Sequence, residues 1–269
     1  MKTESQIDLI KCPFCGSQES FTWAEENGFT AVKCQACSLV YVNPRPSLSL
    51  ISDAVKTGNH IEIKNGRTVV GRRAAAKVRL YKKILSSMFL DVWANENTPI
   101  SWLDIGAGFG EVVEAVSSLA PTGSKVEGLE PMKPKADRAR VRGLNINEAY
   151  LQQVKEKFNY VSLVNVFSHL PDVRSFLMDI TKVLTENGEL YLETGNIGSL
   201  ERSHEVPTEL NLPDHLVFAG EKHILGYLEE AGFSVVKLRR IKRWLDKFLQ
   251  KYYQETYWKK CPISDSLYI

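Results

Sequence analysis

Short apolar runs alternate with segments of helical periodicity between residues 99 and 240. Six runs have the length and branched-chain character of buried strands, at 100–106, 125–131, 144–149, 160–167, 188–194 and 233–240. The helical segments fall at 111–120, 135–143, 173–184 and 223–232. Strands that alternate with helices indicate a mostly parallel sheet covered on both faces, which is an α/β fold.

The first hundred residues follow a different pattern. "SLVYVN" (38–43) predicts a strand, and the two prolines of "NPRPS" (43–47) mark the end of a small module. The stretch 67–90 predicts a helix whose apolar face carries Val78, Tyr81, Leu85 and Met88. Its seven basic residues between positions 67 and 83 fit either a solvated helix face or a basic lid over an anionic group.

Composition narrows the class of protein. The 269 residues are 43% hydrophobic and 25% charged, as in ordinary globular proteins, and the net charge of +2 gives little attraction to nucleic acid or anionic membranes. The apolar runs are too short to span a bilayer, and the start "MKTESQIDL" lacks the apolar core of a signal peptide. We therefore expect a cytoplasmic protein in a reducing compartment.

Four of the five cysteines form two C-x2-C pairs, Cys12 with Cys15 and Cys34 with Cys37, separated by eighteen residues. Each pair can turn two thiolates toward one point, and two pairs at this distance predict a tetrahedral zinc site. The alternatives are a redox pair or coincidence. Four sulfur ligands leave no open coordination position, so the zinc would be structural, and it would stabilise a module too small to fold on its own core. Cys261 is expected to be a packing residue.

The stretch "SWLDIGAGFGE" joins a predicted strand to a predicted helix. Its glycines, Gly106, Gly108 and Gly110, have the spacing G-x-G-x-G rather than the G-x-G-x-x-G of dinucleotide-binding loops. Asp104 would repel a pyrophosphate but suits a cationic amino-acid ligand, which favours S-adenosylmethionine over a dinucleotide. Glu130, at the end of the next strand, can accept both ribose hydroxyls in either class of cofactor.

Together these residues resemble the motifs of the class I S-adenosylmethionine-dependent methyltransferases. "LDIGAGFGE" resembles the first motif, "GLEP" the second and "VNVFSHLPD" the segment after the fourth strand. "LTENGELYLET", "LPDHLVFAGEKHILGYLEEAGF" and the final "SDSLYI" resemble later family segments. With the cysteine pairs and "LVYVNPRP", the chain is similar to a subgroup that carries an N-terminal zinc ribbon.

The resemblance implies a Rossmann-like, seven-stranded, mostly parallel sheet preceded by a small zinc ribbon. It implies S-adenosylmethionine as cofactor, with the methionine part on the glycine loop, the ribose on Glu130, the adenine beside the residues after it and the sulfonium over the segment after strand four. The cofactor-binding residues would be Asp104, Gly106, Ala107, Gly108, Phe109, Gly110, Glu130, Pro131, Met132, Asn165, Val166 and Phe167. The expected domains are a ribbon at 1–46, a helical connector or lid at 47–98, the cofactor-binding core at 99–240, and a helical insertion with the last antiparallel strand at 241–269.

Two histidines are candidate general bases, since an oxygen acceptor has a proton to lose on methylation. His215 in "LPDHLVF" is the first candidate, with Asp214 as a residue that could orient its ring. His169 is the second, and the competing interpretation makes it a structural hydrogen-bonding residue.

The segment 240–260 interleaves aromatic and basic residues. It is a candidate substrate lid or homodimer contact, and basic aromatic surfaces can also bind nucleic acid.

The leading function is methyl transfer to a small molecule. The favoured acceptor atom is an oxygen, ahead of carbon or nitrogen. By resemblance the acceptor is a sugar, a nucleotide sugar or a secondary metabolite. The alternatives are an rRNA or tRNA methyltransferase that uses its ribbon to contact RNA, and a binding module without turnover. The near-neutral charge and the absence of an Asn/Asp-Pro-Pro-Tyr/Phe motif argue against the RNA enzyme.

Overall fold

The computed structural model describes residues 6–60, 67–68, 71–96, 98–200, 209–241 and 266–268. The chain divides into two compact units. The first unit holds Met1–Val69, Asn165–Leu177 and Glu193–Ile269, and the second holds Val70–Val164 and Met178–Leu192. Most of the 240–260 segment and Cys261 lie outside the described residues. In the part of the chain that is described, no helix has the length and apolar character needed to cross a membrane.

Strands and helices alternate along much of the chain. The strands are β1 (Ile7–Asp8), β2 (Ser20–Glu26), β3 (Phe29–Cys34), β4 (Val40–Val42), β5 (Arg45–Pro46), β6 (Asn59–His60), β7 (Arg67–Thr68), β8 (Ser101–Ile105), β9 (Lys125–Leu129), β10 (Ile146–Asn147), β11 (Phe158–Val164), β12 (Leu184–Gly195), β13 (Val217–Phe218), β14 (Arg239–Ile241) and β15 (Ser266–Tyr268). The helices are α1 (Leu48–Thr57), α2 (Ala75–Glu96), α3 (Glu111–Ser117), α4 (Lys133–Arg140), α5 (Val173–Val183) and α6 (Glu221–Glu230).

The seven-stranded sheet has the order β10-β9-β8-β11-β12-β15-β14. The pairs β10/β9, β9/β8 and β8/β11 are parallel, whereas β15 runs antiparallel to both β12 and β14. This confirms the expected α/β fold with a mostly parallel sheet and a last antiparallel strand. The predicted strand at 233–240 is mostly wrong, because only its end belongs to β14 and Val236 is 83% exposed.

The second unit is built on β8, whose side chains are buried from Trp102 to Ile105. Its aromatic cluster packs Phe89 and Trp93 of α2 against Trp102 and Tyr160, with ring centroids 5.3–6.0 Å apart. Such aromatic packing accounts for much of the apolar area that a helix buries on a sheet.

The helix predicted over 67–90 begins later, since α2 starts only at Ala75. Gly71, before its start, has a φ of +66°, and the backbone amide of Ala74 donates to Glu111 Oε1 at 3.0 Å. A positive φ and a backbone amide bonded to a side-chain carboxylate are not features of a regular α-helix interior, so both residues precede α2. The predicted apolar face is largely confirmed, with Val78, Tyr81 and Leu85 buried.

The first unit contains an antiparallel sheet of order β13-β4-β3-β2. Strands β2 to β4 form the expected small ribbon, and β13 extends it from a distant part of the sequence by pairing Val217 with Tyr41 and Phe218 with Val40. A shared apolar core fixes this pairing, and its members are Trp23, Phe29, Ala31, Val40, Val42, Leu210, Leu212 and Phe218.

Candidate functional site

The glycine loop follows β8 directly and leads into α3. Gly106, Gly108 and Gly110 all have positive φ, at +71°, +57° and +82°. A Cβ on Gly108 would meet no heavy atom within 4 Å, so the space beside this backbone is open for a ligand. A Cβ on Gly110 would lie 2.5 Å from Leu144 Cδ1, so this glycine serves close packing instead.

Asp104 is buried at the end of β8 and takes part in a chain of hydrogen bonds. Trp102 Nε1 donates to Ser162 Oγ at 2.9 Å, and Ser162 Oγ donates to Asp104 Oδ1 at 2.6 Å. Burial raises the pKa of Asp104 to about 7, an effect that the Ser162 hydrogen bond opposes and the nearby Glu111 and Glu130 reinforce. A cationic ligand would offset this cost and favour the carboxylate.

Glu130 follows β9 and is 6% exposed. Its Oε2 accepts the backbone N–H of Gly108 at 2.7 Å, and its Oε1 accepts the backbone N–H of Met132 at 2.8 Å. Burial raises the pKa of this carboxyl, and the two backbone donors and Lys135 counteract the rise. The residue predicted to bind ribose therefore also joins the glycine loop to the start of α4.

The remaining predicted cofactor residues differ in exposure. In the second unit Ala107, Phe109 and Met132 are buried, and Pro131 is half-buried. In the first unit Asn165 is exposed and Val166 half-buried. Asn165 has a φ of +55° and donates its backbone N–H to the Glu193 carbonyl at 2.9 Å. Non-glycine residues with positive φ are uncommon and concentrate at functional sites.

Phe167 is 1% exposed, and its ring lies 6.0 Å from that of Tyr227. Its side chain is thus held in the core of the first unit.

The basic connector has an acidic partner that the sequence did not reveal. Arg73 donates from Nε and Nη2 to the carboxylate of Glu114, with the shortest distance 2.7 Å. Because this pair involves α3, at least one of the connector's cations packs against the helix that follows the glycine loop.

The two candidate histidines lie together in the first unit. His169 Nδ1 is 3.0 Å from Asp214 Oδ1 and 2.9 Å from the Asp214 carbonyl oxygen. The His169 and His215 rings meet edge to face with centroids 4.6 Å apart. The structure thus brings all three predicted residues together, but it places Asp214 against His169, whereas the sequence suggested that it could orient His215.

The four cysteines also converge. Their sulfur atoms all lie within 4.8 Å of one another, with Cys12 Sγ 3.5 Å from Cys37 Sγ and Cys15 Sγ 3.6 Å from Cys34 Sγ. These distances exclude disulfides, whose sulfurs are about 2.05 Å apart. They fit a tetrahedron of thiolates around zinc, whose edges are about 3.8 Å for Zn–S bonds of about 2.3 Å.

Helix α6 holds both cysteine pairs in place. The Gly220 backbone N–H donates to His223 Nδ1 at 3.1 Å, so His223 Nε2 carries the proton and donates to the Cys37 carbonyl at 2.9 Å. Phe14 of the first pair packs edge to face on His223 and Tyr227, each at 5.0 Å. Arg174 donates to the carbonyls of Pro13 and Phe14.

Sequence reasoning missed Ser162, His223 and Arg174. Ser162 had a detectable signal, since a hydroxyl in the apolar run "YVSLVNVF" has to find a buried partner. The pairing of β11 with β8 places it opposite Asp104. His223 and Arg174 act on residues more than 150 positions away, and no local pattern shows this.

Comparison with known proteins identifies the family. A family model described as a methyltransferase domain matches residues 74–238, which is more than half of the chain. The chain belongs to this methyltransferase family. It is therefore an S-adenosylmethionine-dependent methyltransferase of class I, as the motifs predicted.

One curated relative is the ubiquinone biosynthesis O-methyltransferase of Erwinia tasmaniensis, to which the methyltransferase is 31% identical over 109 residues. The match covers 36% of this chain and 43% of the relative, so it spans less than half of that protein.

Solved structures of similar fold include three methyltransferase-fold proteins of low sequence identity. The plantazolicin methyltransferase BamL is 14% identical, with 72% of this chain and 85% of that chain covered and a TM-score of 0.49. The cyclopropane synthase MmaA2 from Mycobacterium tuberculosis is 19% identical, with 67% and 70% covered and a TM-score of 0.48. The magnesium protoporphyrin IX methyltransferase from Synechocystis is 13% identical, with 74% and 87% covered and a TM-score of 0.47.

Proposed function

We propose that this methyltransferase transfers the methyl group of S-adenosylmethionine to an oxygen of a small molecule, with an imidazole as general base. The contact between His169 Nδ1 and Asp214 carries the proposal. Two oxygen atoms of Asp214 lie within hydrogen-bond distance of Nδ1, which favours the tautomer with its proton on Nδ1. In that tautomer Nε2 carries the lone pair. An imidazole in this form, oriented by a carboxylate, is the usual arrangement of a general base.

S-adenosylmethionine supplies an electrophilic methyl group when bound. His169 Nε2 would take the proton that the acceptor hydroxyl loses when its oxygen is methylated. Asp214 stabilises the imidazolium that results, because its carboxylate is 3.0 Å from Nδ1. His215, edge-on to His169, is the second imidazole that can contact the acceptor. The name of the Erwinia tasmaniensis relative, an O-methyltransferase, supports an oxygen acceptor.

Cofactor binding is assigned to the residues that the motifs predicted. Gly106, Ala107 and Gly108 would line the methionine part, with Phe109 and Gly110 completing the loop. Asp104 would balance the positive charge of the ligand, and its burial makes that interaction strong. Glu130 would take the ribose hydroxyls with a carboxylate already held by two backbone amides. Pro131 and Met132 would flank the adenine, and Asn165 to Phe167 the sulfonium.

The four cysteines would hold a structural zinc ion. The geometry of Cys12, Cys15, Cys34 and Cys37 suits a closed four-sulfur site, which has no position left for a substrate. Burial raises the pKa of the Cys12 thiol to about 11, so a bound cation would be needed to keep this thiol ionised at neutral pH.

The test compares His169→Gln, His215→Ala and Asp214→Asn with the unchanged enzyme. Cofactor affinity is measured by calorimetry, and turnover by formation of S-adenosylhomocysteine over a panel of phenols, sugars, nucleotide sugars and RNA. For the acceptor that is turned over, we expect His169→Gln to lower kcat by about 100-fold or more. Asp214→Asn should lower kcat and Asp214→Glu should restore part of it, while cofactor affinity stays within about twofold.

Asp172→Asn is the matched control, because Asp172 is an exposed acid three residues from His169, and asparagine also caps helix α5. Its turnover should equal that of the unchanged enzyme. Full turnover in His169→Gln contradicts the assignment of His169 as general base, and turnover of RNA alone contradicts a small-molecule acceptor.

A further inference from the structure

A cavity in the first unit lies between helix α1 and the segment that carries Asp214. Leu50, Ile51, Ala54 and Val55 of α1 line one side, and Pro46 precedes them. Pro213, Leu216, His169 and Asp214 line the other side. The empty volume is about 360 Å³ and includes space open to solvent, so the cavity is a partly open depression rather than an enclosed pocket.

The lining of this cavity is strongly asymmetric in its chemistry. Seven of its nine residues are aliphatic or proline, and the two polar ones are His169 and Asp214. Among these lining residues there is no lysine or arginine to match the charge of a diphosphate. The aliphatic side chains also offer no hydrogen bonds to the hydroxyls of a sugar, and burying such hydroxyls without partners costs free energy.

Helix α1 presents this apolar side consistently. Ala54 is buried, and Leu50, Ile51 and Val55 are partly buried, whereas Ser49, Ser52, Asp53 and Lys56 are exposed. The helix ends at Gly58, whose φ of +73° allows its N–H to donate to the Ala54 carbonyl at 2.7 Å. The wall that faces the histidine is therefore part of a properly terminated helix.

We propose that this cavity binds the body of the methyl acceptor, and that the acceptor is a hydroxylated compound with a hydrophobic body, such as a substituted phenol, rather than a sugar or nucleotide sugar. The hydroxyl would meet His169, and the apolar part would lie against α1. This assignment rests on the proposed function, because it takes His169 as the group that receives the acceptor's proton.

The experiment measures binding separately from turnover. The protein of residues 1–269 is saturated with S-adenosylhomocysteine, and phenol, 4-ethylphenol and 4-butylphenol are titrated into it by calorimetry, with glucose and uridine diphosphate glucose as the competing class. We expect affinity to rise along the phenol series by about three- to fourfold per methylene until the cavity is full. Glucose and uridine diphosphate glucose should show no saturable binding in this cavity.

Two variants and one control variant locate the binding. Ala54→Leu fills the cavity and should weaken 4-butylphenol by about tenfold or more, and Val55→Thr, nearly the same size, should weaken it to a smaller extent. Ser52→Leu introduces the same side chain as Ala54→Leu on the exposed side of α1 and should leave the affinity unchanged. An affinity that is flat along the phenol series, or an equal loss in Ala54→Leu and Ser52→Leu, overturns the assignment.

Failure of the proposed function gives a different result. If uridine diphosphate glucose is bound and methylated, and Ala54→Leu abolishes its binding, the hydrophobic acceptor is overturned. Methyl transfer to a small molecule then still stands. Chain-length-dependent phenol binding without methyl transfer would support the cavity assignment and count against the general-base proposal.

Discussion

The backbone amide of Gly108 donates a hydrogen bond to Oε2 of Glu130 over 2.7 Å, which ties the glycine loop after β8 to the end of β9. The other carboxylate oxygen holds the amide of Met132. One side chain thus positions two backbone segments that the motifs assign to different parts of the cofactor. These two hydrogen bonds are seen in the structure, whereas the contact of Glu130 with ribose belongs to the proposed function.

Replacing Glu130 with glutamine should weaken S-adenosylmethionine by about 10- to 100-fold, because the side-chain amide presents a donor to one of the two backbone N–H groups and removes the charge from both hydrogen bonds. Calorimetry measures the loss directly. Glu127→Gln, on the strand that Glu130 follows, should stay within about threefold of the unchanged protein. Similar affinities for the two variants would contradict the assigned role.

Stability of the protein without cofactor should depend on pH through Asp104. Burial raises the pKa of Asp104 to about 7 from an ordinary value of about 3.9, so folding takes up a proton between these values. The free energy of unfolding should therefore fall as pH rises from about 4 to above 7, by up to about 4 kcal/mol.

Asp104→Asn should remove this slope while keeping an acceptor for Ser162. Urea unfolding of both proteins at several pH values between 5 and 8.5 isolates the effect as a difference. Parallel pH profiles would show that Asp104 does not bind the proton.

Gly226→Ala should destabilise the first unit, although alanine normally stabilises a helix by about 1 kcal/mol relative to glycine. A Cβ at this position would lie 2.9 and 3.0 Å from the ring carbons Cζ and Cε2 of Phe14. Overpacking of this kind costs about 1–3 kcal/mol. In a Phe14→Leu background the same change should become neutral or stabilising, and unfolding measurements on the four proteins form a double-mutant cycle. Equal effects in both backgrounds would rule out the proposed clash.

Loss of the proposed zinc ion should loosen the segment that carries the histidines. Strand β13 pairs with β4 of the ribbon, and the Leu216 amide donates to the Ser168 carbonyl at 2.7 Å, beside His169. The proposal expects one zinc ion per chain, and Cys15→Ser should lower this content and speed amide hydrogen exchange in β4 and β13, with β9 as the internal reference. Gln18→Ser, an exposed change near Cys15, should keep both the zinc and the slow exchange. Unchanged exchange after loss of zinc would contradict a structural role for the metal.

Much of the fold was predictable from local pattern. Hydrophobic periodicity and glycine spacing predicted the glycine loop and the strands β8, β9, β11 and β12. They also predicted the helix whose side chains Val78, Tyr81 and Leu85 are buried. The strand at 233–240 failed because Val235 and Val236 are exposed and only the end of the run pairs. Apolar composition alone does not say whether a run has a neighbouring strand.

The sequence by itself determined the family, the cofactor class and the cysteine pairs, because these depend on residues a few positions apart, where chain geometry limits the possible arrangements. The tertiary structure decided that Asp214 meets His169 across 45 positions, that β13 completes the ribbon, and that an aliphatic cavity adjoins the histidine. Those relationships depend on how distant segments pack, and packing is set by the whole core rather than by the neighbours of any one residue.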